Sequence, residues 1–318
     1  MFDRVPLGIC HEEVLVLEKI NLAKEMKRKE WKEMRRPLQH RLYELAQAAY
    51  DTGIPTIVLF EGWDASGKGT SINLLTQRLD PRGFKVWPIR APRTYEQNHP
   101  WLWRFWNKLP NRGQIAIFDR SWYGRVLVER VEKLTPETEW RKAYRDIVDF
   151  ERTLADDGHI IAKLWMHISK KEQRRRFNAL EKDPLQSWHV QPEDWEHHRK
   201  YDKYLLAVEE MLETTETEWA PWTIVEATDQ HYTWWRVFTA VADALAKGLK
   251  LRGIDPESVI SPLPDAGTDA ADSPMAGKTA AEEAATADVN TPGIARMAGN
   301  AAEESETDAS AQDDDDLD

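Results

Sequence analysis

Short apolar runs of strand length alternate along this chain with longer amphipathic stretches. Thr56-Ile57-Val58-Leu59-Phe60 is β-branched and apolar, and runs of the same character recur at 84–88, 114–119, 160–168 and 222–226. Between them, apolar positions return every three or four residues, predicting helices over 38–50, 71–79, 139–156, 170–181 and 232–249. In the first of these Leu38, Leu42, Leu45 and Ala49 share one face. Asp51-Thr52-Gly53 ends it, and Pro55 leads into the next strand. Strands alternating with helices predict an α/β fold, a parallel sheet with helices on both faces. No internal repeat is visible. The expected organisation is an N-terminal helical extension over 1–50, one α/β domain over 51–253 and a tail over 254–318.

Charge sharpens that division. The chain carries a net −12, yet from Asp255 onward there are 17 acidic and two basic residues, so residues 1–253 carry about +3. A mildly basic body suits a polyanionic substrate. The tail is rich in Ala, Asp, Glu, Gly and Thr and is expected to be disordered, because it has too little apolar surface to offset the entropy of ordering. Cys10 is the only cysteine, which excludes an intrachain disulfide and a cysteine-rich metal site. No signal-like or membrane-length apolar run is seen, so a soluble cytoplasmic protein is expected, with no membrane and no nucleic acid among its partners.

The chemistry concentrates in Phe60-Glu61-Gly62-Trp63-Asp64-Ala65-Ser66-Gly67-Lys68-Gly69-Thr70. A glycine-framed loop between a strand and a helix N-terminus presents backbone N–H groups to a phosphate, and the lysine reaches its oxygens. Gly62, Ala65, Ser66, Gly67, Lys68, Gly69 and Thr70 are the candidate phosphate contacts. A P-loop normally places a Ser or Thr after the lysine to ligate magnesium. Gly69 stands there instead, so Asp64 inside the loop becomes the candidate replacement ligand for Mg²⁺. A surface turn pointing Asp64 to solvent is the plainer alternative.

Ile115-Ala116-Ile117-Phe118-Asp119 reads as a second buried strand ending in a carboxylate. Such an aspartate can hold Mg²⁺ beside the cradle. Arg120 follows at once, then Arg125, Glu129 and Arg130. Arg90 and Arg93 follow the strand at 84–88, where loops gather at the sheet's carboxyl edge. Arg174 opens the helix after Ser169, a candidate N-cap. The basic, proline-broken segment with Lys182 and His189 has the character of a lid over about 170–205. His197-His198 reads as a surface pair, because adjacent helical residues face differently. The tryptophans of 101–106 and 234–235 read as core or dimer packing in preference to base stacking.

The cradle, the string Asp119-Arg120-Ser121-Trp122-Tyr123-Gly124-Arg125 with its continuation to Val131, and Trp101-Leu102-Trp103-Arg104-Phe105-Trp106 resemble the polyphosphate kinase 2 family. Within it they look most like the polyphosphate:AMP phosphotransferase branch. The resemblance covers roughly 20–250. It implies a P-loop, thymidylate-kinase-like fold with a helical lid, and Mg²⁺-dependent transfer of a terminal phosphoryl group between polyphosphate and a nucleotide, with AMP the first choice and ADP or GDP the alternatives. It also implies a homo-oligomer. Carried onto this chain, Asp64 and Asp119 are the magnesium aspartates, Lys68 the cradle lysine and Arg120 the adjoining phosphate-binding arginine. Arg125, Arg174, Lys182 and His189 join the phosphate-binding set, and Arg90, Arg93, Glu129 and Arg130 are expected near the nucleotide. Trp188-His189 departs from the family's common Trp-Lys, and this chain has room for one such domain where the AMP branch often joins two. An ATP-dependent nucleoside monophosphate kinase and a silent polyphosphate-binding module are the competing readings.

Overall fold

The computed structural model of the chain describes residues 16–261; Cys10 and the part of the predicted tail beyond Ser261 lie outside the described residues, whereas the start of that tail is ordered against the body through Ile254, Val259 and Ile260. In chain order the elements are α1 (Arg28–Asp51), β1 (Thr56–Gly62), α2 (Lys68–Thr76), β2 (Phe84–Pro88), α3 (Thr94–Gln97), α4 (Trp103–Trp106) and β3 (Ile115–Asp119). They continue as α5 (Val128–Val131), α6 (Glu137–Asp156), β4 (Ile160–His167), α7 (Lys170–Lys182), α8 (Pro192–Arg199), α9 (Tyr201–Thr215), β5 (Trp222–Glu226) and α10 (Gln230–Lys250).

The five strands form one parallel sheet in the order β2-β3-β1-β4-β5. Burial follows that order. β1 is buried at every position but Gly62, and all of β4 is buried, whereas the edge strands β2 and β5 are only partly covered. This is why the central strands read as continuous apolar runs. Helices α2 and α10 pack on one side of the sheet and α6, backed by α9, on the other.

The stretch expected as an N-terminal extension contributes a layer of this same body. Trp31 of α1 packs on Trp234 and Phe238 of α10, with ring centroids 5.6 and 6.2 Å apart, and Leu42, Leu45 and Ala49 join the core. Trp234 is therefore a packing residue, as its sequence context suggested.

One charged network is sealed inside. Lys163 of β4 and Glu151 of α6 form an ion pair at 2.8 Å with neither side chain exposed. Glu151 also accepts from Trp122 Nε1 at 3.0 Å and Tyr123 Oη at 2.7 Å, and Lys163 donates to the Thr215 carbonyl at 2.8 Å. Every polar atom of the pair is thereby occupied, the condition under which buried charges are tolerated. The network holds from below the loop that follows β3. Truncating one partner strands the other charge, so Glu151→Ala is expected to lower stability by about 3–5 kcal/mol. The apolar double replacement Glu151→Leu/Lys163→Met should lose much less. Urea unfolding of both variants checks this, and equal losses would contradict it.

Candidate active site: a charged cradle beneath a helical lid

β1 delivers the chain into the loop at Gly62, which pairs with Met166 of β4. A Cβ at Gly62 would stand 2.5 Å from the Met166 carbonyl oxygen, so only glycine permits this approach. The loop then turns through left-handed backbone at Ala65 (φ 58°) and Gly67 (φ 92°), and Gly67 caps α2. Ala65 holds a conformation that disfavours a side chain by about 1–2 kcal/mol, strain of the kind found at binding loops. Lys68 Nζ donates to the carbonyls of Gly62 and Trp63, both at 2.9 Å. The Ser66 hydroxyl is buried in the loop with no hydrogen-bond partner among the described residues. An orphaned buried hydroxyl is costly, and an oxyanion in the cradle would satisfy it.

The neighbouring strand supplies the second half. In register, Phe60 of β1 sits beside Asp119 of β3, and Arg120 N donates to the Phe60 carbonyl at 3.0 Å. Arg120 has φ 64°, and its guanidinium reaches Asp64 Oδ1 at 2.5 Å. The next residue fixes the turn: Ser121 Oγ donates to buried Glu61 Oε1 at 2.7 Å. Asp64, Lys68, Asp119 and Arg120 thus share one electrostatic neighbourhood. Burial by itself would raise the Asp64 carboxyl, but Arg120, His197 and Lys68 override it and hold Asp64 well below the usual carboxylate range. Burial, with Arg120 nearby, lowers the Lys68 ammonium against the pull of Asp64, Asp119 and Glu61. Burial pushes the Glu61 carboxyl up. Two hard carboxylates, one in the loop after β1 and one at the end of neighbouring β3, with no hydroxyl at Gly69, are a donor set that fits Mg²⁺.

The lid meets the cradle through residues that sequence patterning had placed on the surface. His197, on α8, brings Nδ1 to 3.3 Å from Asp64 Oδ2 and Nε2 to 4.0 Å from Glu132 Oε1. The Asp64 contact raises its imidazolium stability against the opposing effect of burial. His198 is buried, and its Nδ1 pairs with Gln173 Oε1 at 2.8 Å. Gln173 Nε2 in turn donates to the Asp64 carbonyl at 3.2 Å. The surface reading of the histidine pair is corrected. The two do face differently, but one faces the cradle and the other packs against α7.

Arg176 donates to the Ala65 carbonyl at 2.8 Å and to those of Ala227 and Thr228, clasping the loop from above. Tyr201 stacks on Trp63 with centroids 4.0 Å apart and planes 17° apart. Lys200 and Tyr204 both bind Glu132. Helical phase alone offered a signal for Gln173 and Arg176. They lie one turn apart and flank buried Phe177 and Leu180 on α7.

The remaining predicted contacts are distributed otherwise. Ser169 caps α7 by accepting from Glu172 N, as expected, but Arg174 and Lys182 stand exposed along that helix, and His189 stacks on Trp188 at 3.6 Å. Arg90 and Arg93 are exposed beyond β2. Arg125 donates to Thr135 at 2.7 Å, pairs with Glu129 at 2.9 Å and lies over the Trp101 ring. Arg130 pairs with Glu210 at 2.6 Å, donates to Tyr144 Oη and lies over Trp140. A cleft runs beside the cradle, lined by Glu61, Asp64, Arg120, Gly124, His197 and Tyr204 among others.

A parallel sheet with a lysine-bearing phosphate cradle, a strand-end aspartate beside it and a helical lid above defines a P-loop kinase-like protein. The family model for polyphosphate kinase 2 matches residues 25–252, and the chain belongs to that family. It is 40% identical over 235 residues to a polyphosphate:AMP phosphotransferase of Pseudomonas aeruginosa, covering 74% of this chain and 47% of that protein. It is 36% identical over 222 residues to an AMP/ADP-polyphosphate phosphotransferase of Meiothermus ruber, covering 70% and 83%. The crystal structure of polyphosphate kinase 2 from Arthrobacter aurescens TC1 superposes with a TM-score of 0.72 at 28% identity, over 86% of this chain and 93% of that one. The chain therefore spans about half the length of the AMP phosphotransferases it matches. No helix among the described residues is long and apolar enough to cross a membrane.

Below the loop, Trp63 Nε1 donates to His167 Nδ1 at 3.0 Å, which requires a neutral imidazole. Burial lowers the His167 pKa to about 4 from an ordinary 6.5. The folded state thus resists a proton that the unfolded state accepts. The stabilisation is full above pH 6.5 and is lost as pH falls toward 4, by about 3 kcal/mol in total. His167→Asn keeps an acceptor for Trp63 but does not titrate. Chemical denaturation at several pH values should show a shallower acid loss for that variant than for the wild type, and identical slopes would contradict the assignment.

Proposed function

We propose that this chain is a magnesium-dependent phosphotransferase that moves the terminal phosphoryl group of inorganic polyphosphate to a nucleotide, with AMP as acceptor and ADP as product. One observation carries the reading: Asp64 in the loop after β1 and Asp119 at the end of neighbouring β3 flank a lysine cradle in which the Ser66 hydroxyl has no partner among the described residues. The names of the relatives support the substrate class, and they include AMP, ADP and GDP phosphotransferases. The resemblance further suggests a homo-oligomer.

Phosphoryl transfer needs alignment and charge neutralisation more than covalent chemistry. The loop N–H groups and Ser66 hold phosphate oxygens, and Lys68 turns from its two carbonyls to the same oxygens. Arg120 leaves or shares Asp64 to face the transferring group. Asp64 and Asp119 are the residues that would hold Mg²⁺, which would supply charge neutralisation to the phosphate groups. Closure of α7 and α8 excludes water that would otherwise take the phosphoryl group. In the bound state Arg174, Lys182 and His189 extend the path for the polyphosphate chain. Arg90, Arg93, Glu129 and Arg130 border the nucleotide, the last two after exchanging their present partners.

Purified protein given polyphosphate, Mg²⁺ and AMP, without ATP, should yield ADP. No product with any nucleoside mono- or diphosphate would overturn the reading. Turnover with ATP plus AMP and indifference to polyphosphate would favour an ordinary monophosphate kinase. Lys68→Ala should slow transfer on the order of a hundredfold or more, the loss expected for one preorganised stabiliser. Undiminished transfer would place the site elsewhere.

A further inference from the structure

Three side chains from two elements converge at one point beside the cradle. Asp64 belongs to the loop, and Asp194 and His197 lie one turn apart on α8, so they share a face. One donor atom from each lies within 4.8 Å of the others. We propose that this trio binds a borderline divalent cation, Zn²⁺ or Co²⁺, which fastens the lid to the cradle and withdraws Asp64 from phosphoryl transfer.

The spacing suits such an ion. Ligands at about 2.0–2.1 Å around a tetrahedral centre stand roughly 3.3 Å from one another, and His197 Nδ1 is 3.3 Å from Asp64 Oδ2. The carboxylate oxygens are already divided. Arg120 holds Asp64 Oδ1, leaving Oδ2 toward His197. Asp194 Oδ2 accepts from Gln191 N at 2.8 Å, leaving its Oδ1. The ion can therefore enter without breaking the Asp64–Arg120 pair or the cap of α8, and it replaces the proton between His197 and Asp64, which goes to solvent.

Three further features point the same way. His197 Nε2 faces Glu132 at 4.0 Å, the carboxylate–histidine arrangement that orients an imidazole toward a metal. Glu132 is itself fixed by Lys200 and Tyr204. Helix α8 is also held independently of the trio's side chains, through His198, Gln173 and the Asp64 carbonyl. Finally, Asp194 and Asp64 are two partly buried carboxylates in mutual repulsion, which a dication relieves. The imidazole nitrogen selects against Mg²⁺, which prefers oxygen and surrenders its water reluctantly.

The test is a Co²⁺ titration of the full chain, without nucleotide or polyphosphate, followed by visible absorption. The expected result is a set of intense low-coordinate d–d bands, bleached by Zn²⁺. His197→Asn and Asp194→Asn should each weaken that binding by roughly tenfold or more, with the far-ultraviolet circular dichroism unchanged. Only the weak bands of aqueous cobalt, or the same affinity in both variants, would overturn the proposal. The spectrum needs no turnover, so its failure is separate from any failure of polyphosphate-dependent transfer.

Discussion

A carboxylate set inside a phosphate-binding loop repels the ligand the loop is built to hold, unless cations meet its charge. Here Arg120 meets it at 2.5 Å, and the geometry of the site follows from that contact. Arg120 reaches across because β1 and β3 run parallel in a register that places Asp119 beside Phe60. Its left-handed backbone turns the side chain back over the loop, and the Ser121–Glu61 hydrogen bond fixes the turn. Asp64 Oδ2 is left for the lid, where His197 takes it. One side chain thus links the cradle, the neighbouring strand end and the lid.

The strain in this arrangement is supported from beneath. Ala65 and Arg120 both hold left-handed backbone at the mouth of the site. Such conformations persist where the surroundings over-determine them. Below Arg120, Trp122 and Tyr123 are fully buried and tied to the Glu151–Lys163 pair. Below Asp64, Trp63 is held between Tyr201 and His167. The two loops therefore rest on packed, hydrogen-bonded floors, the preorganisation that electrostatic stabilisation of a transferring group requires.

The sheet and the cradle were legible in the sequence because their signals are local. A buried parallel strand is a continuous apolar run, and a phosphate loop needs its glycines and lysine at fixed spacing. Asp64 was legible as a departure, through the glycine after the lysine. The lid contacts were not legible in that way. His197 and Asp64 are 133 residues apart, and no periodicity in either segment encodes their meeting. The rule that adjacent helical residues face apart holds, but it does not say which faces the fold covers, and here one histidine meets the cradle and the other packs on α7. Arg125 and Arg130, which read as substrate contacts, are engaged here with Glu129 and Glu210, and no sequence spacing encodes the pairing of Arg130 with Glu210.

If Asp64 serves the chemistry of the cradle and not merely its fold, removing its charge should separate the two. Asp64→Asn keeps the size and the hydrogen-bonding reach of the side chain while removing its charge. Polyphosphate-to-AMP transfer measured beside thermal unfolding tests this directly. Transfer is expected to fall on the order of a hundredfold while the cooperative unfolding of the chain is retained. Transfer at the wild-type rate would contradict a chemical role for Asp64.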